Sequence, residues 1–200
     1  MDSIDYYNKY ANLYFESTVE LDMGETLEKF INYLPDGGEI LDLGCGSGRD
    51  SLYFIERGFD VTALDGSEEL CELASIHIGQ DVLTMQFSEI NFHQVFDGIW
   101  ACASLLHTSP NEIEDILGKV IESLKPGGVL YMSFNHGEFS GFRNGRYFND
   151  FKTKTMKDLL SKFDNIQLID TWKSADVRVQ RSDVTWLNVL VKKNDEEKQE

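Results

Sequence analysis

Three glycines at alternate positions, Gly44, Gly46 and Gly48, stand in the run Leu41-Asp42-Leu43-Gly44-Cys45-Gly46-Ser47-Gly48-Arg49-Asp50, between a short apolar segment and a helical pattern. Glycine admits positive φ and lets the main chain approach a ligand closely, so this spacing predicts a ligand lying against the backbone, with a plain tight connection as the alternative. The dinucleotide fingerprint is G-x-G-x-x-G and delivers a pyrophosphate to a helix N-terminus. Here the spacing is G-x-G-x-G, and a carboxylate, Asp42, stands two residues before the first glycine. A carboxylate there disfavours pyrophosphate and suits a cation. No Gly-Lys-Ser or Gly-Lys-Thr occurs, which excludes a Walker phosphate loop. S-adenosylmethionine, with an ammonium, a sulfonium and no phosphate, meets these conditions. Asp65 lies 21 residues beyond Gly44, at the end of the next apolar segment. An acid there accepts hydrogen bonds from two ribose hydroxyls or serves as a favourable charge before a helix start.

A second set of residues would face a small second substrate. His107, after Ala101-Cys102-Ala103-Ser104-Leu105-Leu106, is a candidate proton acceptor or substrate contact, or else a histidine packed beside a helix start. Of only six arginines, four fall in two stretches of the second half: Arg143 and Arg146, then Arg178 and Arg181. Both stretches follow the carboxyl ends of strands, so the four should overhang one pocket mouth and favour an anionic acceptor; the alternative is solvated arginines or ion pairs with Asp150, Asp176 and Asp183. Tyr147, beside Arg146, is a candidate catalytic group, and Phe148 would line the apolar part of the pocket. Tyr6, Tyr7 and Tyr10 share a helical stripe, with Tyr7 as a candidate substrate contact. That segment is either a lid over the site or an amphipathic helix packed on the sheet edge. Cys45, Cys71 and Cys102 have neither disulfide nor zinc-ligand spacing, and no metal is expected.

The elements that must position these residues alternate along the chain. Strands are predicted over 40–43, 59–64, 82–87, 96–103 and 129–134, and helices over 50–57, 67–77 with Ser67 as N-cap, and 111–124 with Asn111 opening a capping box. Such a cadence implies a doubly wound α/β fold, because right-handed crossovers place helices on both faces of a parallel sheet. The rhythm then changes. A helix over 155–163 precedes strands 166–172 and 184–191, joined by a polar connection without a helix, which predicts a terminal antiparallel hairpin and a seven-stranded, mostly parallel sheet. Two helices, 6–15 and 23–34, come first.

With 42% hydrophobic and 26% charged residues in 200, the chain has the profile of an ordinary globular domain and not of a disordered segment. One domain is expected over 1–192, made of a helical lid segment (1–37), a cofactor-binding half (38–134) and a half of acceptor-site loops and hairpin (135–192), with a charged tail over 193–200. The formal net charge is −17, which opposes nucleic acid and anionic membranes as partners. Residues 1–100 hold 4 basic and 20 acidic side chains, against 14 and 15 in residues 101–200. The odd cysteine number, the absence of a leader-like start and the absence of an 18-residue apolar run point to a cytoplasmic protein.

Taken together, Leu41-Asp-Leu-Gly-Cys-Gly-Ser-Gly48, Asp65 after Val61-Thr-Ala-Leu64, Phe96-Asp-Gly-Ile-Trp100 and Leu124-Lys-Pro-Gly-Gly-Val129 resemble the class I S-adenosylmethionine-dependent methyltransferases over roughly residues 38–191. Within that class, Gly48-Arg-Asp-Ser-Leu-Tyr53 looks like the tellurite-resistance methyltransferases. The resemblance implies a last strand inserted antiparallel between the fifth and sixth. It also implies that Gly44, Cys45, Gly46 and Gly48 line the methionine and ribose, that Asp42 lies near the amino group, and that Asp65, Gly66 and Ser67 meet the ribose. Gln86 and Phe87 stand where the class usually has an acid near the adenine; Gln86 has a carbonyl to accept from it, and Phe87 either packs on the adenine or belongs to the core. Ala101 would flank the cofactor. The implied reaction is transfer of a methyl group to a small anionic, thiol or oxyanion acceptor. The rivals are a nicotinamide-dependent oxidoreductase and a non-catalytic cofactor-binding module.

Overall fold

The structure is a computed structural model and describes residues 2–195. Helices α1 (Ser3–Lys9), α2 (Ala11–Thr18) and α3 (Gly24–Ile31) precede β1 (Glu39–Leu43), α4 (Arg49–Glu56), β2 (Asp60–Asp65), α5 (Glu68–Ile78) and β3 (Leu83–Thr84). There follow β4 (Phe96–Ala101), α6 (Ile113–Ser123), β5 (Leu124–Asn135), the pair β6 (Ser140–Arg143) and β7 (Arg146–Asn149), α7 (Thr153–Leu160), β8 (Ile166–Ala175) and β9 (Thr185–Lys193). The main sheet has the order β3-β2-β1-β4-β5-β9-β8, with β1 to β5 parallel and β9 antiparallel to both of its neighbours. This is the doubly wound, seven-stranded architecture with its last strand inserted. Among the described residues no helix is long and apolar enough to cross a membrane.

Period-2 alternation decides what each strand shows to each face. Leu41, Leu43, Ile99, Leu130 and Met132 pack with α6 and α7, whereas Ile40, Val61, Trp100, Val129 and Tyr131 pack with α3 and α4. Asp42 shares the face of Ile40 and so points at α4, whose Ser51 Oγ donates to it at 2.6 Å. Trp100 stacks on Tyr131 with centroids 4.0 Å apart, and its indole N–H donates to Asp50 at 2.8 Å. The start of α4 is thereby tied to the sheet directly under the glycine loop.

Several expected elements form differently. The strand over 82–87 shrinks to Leu83–Thr84, because Met85 and Phe87 turn toward the cleft and the core instead of extending an edge strand. The helix over 6–15 is two helices that break at Tyr10, whose φ of −116° and ψ of 22° are not helical. Asn111 does not cap α6: Glu112 and Ile113 N–H both donate to the Ser109 carbonyl, so a turn at Ser109-Pro110 starts the helix two residues later. Residues 140–149, read from the sequence as a loop, are the β6–β7 hairpin closed by Asn144 (φ 50°) and Gly145 (φ 82°). Lys193 belongs to β9 and not to a tail; it pairs with Ile166, and its buried ammonium donates to the Leu124 carbonyl at 2.8 Å. The remainder of the expected tail, 196–200, lies outside the described residues.

Candidate active site

The carboxyl ends of β1, β2 and β4 open on a cleft of about 350 Å³, within the range of small-molecule sites. Gly44, Gly46, Asp65, Gly66, Ser67, Gln86, Phe87, His107, Tyr7 and Tyr147 all line it, so ten of the residues singled out in the sequence share one surface. Asp42, Cys45, Gly48 and Ala101 lie behind that surface. Burial, reinforced by Asp50, raises the Asp42 pKa above the usual carboxylate range. Gly48 begins α4 at φ 75°; a Cβ there would stand 2.8 Å from Ile78 and 3.2 Å from Ala74, so it seats α4 on α5.

Asp65 organises the floor. Its carboxylate accepts from Gly46 N–H at 3.0 Å and from Ser67 N–H at 2.9 Å, fixing the glycine loop against the start of α5. Ser67 caps α5 at Leu70 N–H and donates to Asn8 of α1 at 2.7 Å, which draws the N-terminal helix across the opening. Ser3, Ile4 and Tyr7 of α1 and Tyr14 of α2 complete the wall. The hydroxyls of Ser104 and Thr108 are buried on this cleft without a hydrogen-bond partner among the described residues. Glycines that bring backbone to the surface, an acid at the end of β2 and two unpaired hydroxyls fit a polar ligand of nucleoside type.

At the far end of the cleft His107 Nδ1 lies 2.6 Å from the Tyr147 carbonyl and Nε2 lies 2.8 Å from the Tyr7 hydroxyl. Burial, with Arg146 nearby, pushes the imidazole pKa down to about 4. The unfolded chain therefore binds a proton at this residue from pH 6.5 downward that the folded chain refuses until about pH 4. Stability contributed by neutral His107 is complete above pH 6.5 and falls away as pH drops through that window. Denaturant midpoints measured from pH 7 to 4 should fall more steeply for the parent than for His107→Gln, and parallel curves would contradict the burial effect. The Tyr147 side chain, for its part, bonds Ser140 through its hydroxyl at 2.8 Å and faces Phe142.

The four arginines do converge, on a second cavity of about 590 Å³. Tyr14 borders both spaces. Three of the four have carboxylate partners: Arg143 with Asp150 at 2.6 Å, Arg178 in a two-pronged pair with Asp176 at 2.8 Å, and Arg181 with Asp176 at 3.6 Å. Arg146 has none among the described residues. Its guanidinium stacks over Tyr6 at 4.6 Å and Phe148 at 5.2 Å and donates to the Tyr7 hydroxyl at 3.3 Å, while its Nε is buried without a partner.

Sequence reasoning did not single out Tyr14, Ser104 and Thr108. Tyr14 continues the stripe of Tyr7 and Tyr10 by helical spacing, a usable signal; the two hydroxyls carried none.

A family model described as a methyltransferase domain matches residues 40–128, the stretch that builds the glycine loop, the Asp65 strand and β4. Over that stretch the chain is similar to methyltransferase domains. Its fold is that of the class I methyltransferases. An uncharacterized methyltransferase of Staphylococcus carnosus is 26% identical over 209 residues, covering 96% of this chain and all of that protein. The provisionally named methyltransferase YqeM of Bacillus subtilis is 30% identical over 151 residues, 72% of this chain. The chain spans 60% of that relative's length and less than half of several further curated methyltransferases. Among solved structures, the 1,6-didemethyltoxoflavin-N1-methyltransferase of Burkholderia thailandensis, with its substrate and S-adenosylhomocysteine bound, superposes with a TM-score of 0.77. It is 24% identical, over 96% of this chain and 86% of that one, a likeness of fold.

Proposed function

We propose that the protein binds S-adenosylmethionine in the cleft at the glycine loop and transfers its methyl group to a small acceptor that carries an anionic group. When bound, this cofactor supplies a methyl group on a positively charged sulfur, a good leaving group, so the protein's task is alignment and exclusion of water. Gly44 and Gly46, which line the cleft, would present main chain to the ligand, Asp65 would hold the ribose hydroxyls, and Gln86 and Phe87 would border the adenine. Asp42, which bonds Ser51 beneath the loop, would act on the amino group from behind that loop. Helix α1 closes the opening over them.

Arg146 carries the anionic reading. A guanidinium that has no carboxylate among the described residues, with a buried Nε lacking a partner, is most simply completed by an anion brought by the acceptor: a carboxylate, thiolate or oxyanion. Arg143, Arg178 and Arg181, already paired, would add field more than direct bonds. The resemblance to the tellurite-resistance methyltransferases and the free cysteines support a small acceptor in a reducing, cytoplasmic setting.

A metabolite-extract screen for S-adenosylhomocysteine release, with mass identification of the methylated product, tests the activity. On the acceptor so identified, Arg146→Ala should lower kcat/KM by about ten- to a hundredfold while cofactor affinity holds, the scale of one lost charge-assisted bond. Arg146→Lys should restore part of it, since an ammonium keeps the charge without the planar fork. A cationic acceptor, or an Arg146→Ala enzyme equal to the parent, would sink the anionic reading.

A further inference from the structure

We propose that Tyr7 and His107 form a proton relay, so that the atom methylated is a protic hydroxyl oxygen or amine nitrogen, separate from the anionic group at Arg146. The proposal rests on the methyl-transfer reading above and adds which atom reacts. A carbonyl oxygen only accepts hydrogen bonds, so the 2.6 Å contact between His107 Nδ1 and the Tyr147 carbonyl puts the ring proton on Nδ1. Nε2 is then bare. The Tyr7 hydroxyl, 2.8 Å away, donates to it. The same oxygen accepts from Arg146 Nη1 at 3.3 Å, and both Tyr7 and His107 line the cleft. A phenol whose proton already points at a base, on a side chain that lines the cleft, is built to take one proton and pass on its own.

The surroundings keep that base free. His107 is enclosed by the edges of Tyr7 and Phe148, with ring centroids 5.4 and 5.0 Å away, and no carboxylate bonds it among the described residues. The titratable groups acting on the pair are Arg146 on β7, which opposes a resting imidazolium, and Asp65 and Tyr6, which act on the Tyr7 phenol. The low imidazole pKa leaves Nε2 unprotonated throughout the neutral range. A thiolate or free oxyanion would need none of this.

The step balances. As the acceptor's X–H bond breaks and X–CH3 forms, the proton goes to Tyr7 Oη while the Tyr7 proton goes to His107 Nε2. The imidazolium forms as the sulfonium becomes a neutral thioether, so the net charge of the site is unchanged. A relay thus moves a buried charge within the closed site and creates none.

A purely structural role, pinning α1 to the core through the same hydrogen bond, predicts different results. Nitrogen-15 NMR of the full-length, histidine-labelled protein needs no acceptor: an Nδ1-protonated His107 that stays neutral down to pH 5 is expected, and an Nε2-protonated ring or titration near pH 6.5 overturns the relay. Mass spectrometry of the product from the extract screen should find the methyl on an oxygen or nitrogen that bore a proton; a methyl on sulfur or on a carboxylate overturns it. Tyr7→Phe and His107→Gln should each lower kcat by about a hundredfold or more, with a smaller change in acceptor KM. Equal losses in cofactor affinity and kcat, or parental kcat in both variants, would leave the pair a structural pin. Bound S-adenosylmethionine without any S-adenosylhomocysteine release from the extract would instead count against methyl transfer, while the NMR result still judges the relay geometry.

Discussion

Replacing Asp65 with alanine should weaken S-adenosylmethionine and S-adenosylhomocysteine alike, by about ten- to a hundredfold or more. Two effects add. The ribose hydroxyls of either ligand lose a charged acceptor, and charge-assisted hydrogen bonds of this kind contribute roughly 1.5 to 3 kcal/mol. The N–H groups of Gly46 and Ser67, which meet the carboxylate at 3.0 and 2.9 Å, also lose their partner, so the loop and the start of α5 are no longer held in register. Thermal unfolding should fall by several degrees as well, at roughly 2–4 °C per kcal/mol for a chain of this size. Asp65→Asn should fall between parent and alanine, since an amide keeps one acceptor and loses the charge. Calorimetric titration with both ligands checks the claim; a loss confined to S-adenosylmethionine would place the acid away from the ribose they share.

Gly46→Val should reduce cofactor binding by more than about a hundredfold. The backbone here has φ of 56°, a region that costs an L-residue roughly 1–2 kcal/mol and a β-branched one more. The new Cβ would also stand 3.0 Å from the Tyr14 ring, which forms the cleft's wall above the loop. Tyr14→Ala in the same chain should relieve the contact and leave the strain, so recovery in the double variant apportions the two. Unchanged affinity with normal unfolding would remove the loop from the ligand site.

The parallel half of the fold was legible because its signals are local. Alternating buried residues and the Ser67 cap each sit within a few residues of what they determine. The failures also have local causes. Tyr6 to Phe15 carries one helical stripe, yet the chain breaks at Tyr10 because Tyr7 and Tyr14 are drawn into one edge-on pair, 5.0 Å between centroids, over the cleft. The Asn144-Gly145 pair between Phe142-Arg143 and Arg146-Tyr147 is a type I′ hairpin signal that the loop reading passed over. That hairpin is what sets Arg143 opposite Arg146 and delivers the Tyr147 carbonyl to His107. Arginine convergence was readable from topology. Which arginine remained without a carboxylate was not, because Asp150 and Asp176 find their partners only in three dimensions.

The position of β9 has a consequence for how the molecule is made. Its residues come after those of every other strand in the sheet, yet it lies between β5 and β8. A nascent chain that has not yet produced Thr185–Lys193 can assemble β1 to β5 but must leave one edge of β5 open, and β8 has no strand to join. Both carry unpaired main-chain groups next to apolar side chains, the condition that invites edge-to-edge association. Completion of the sheet therefore waits until Thr185–Lys193 has been made, and the interval before it is when this chain most needs protection from its own copies.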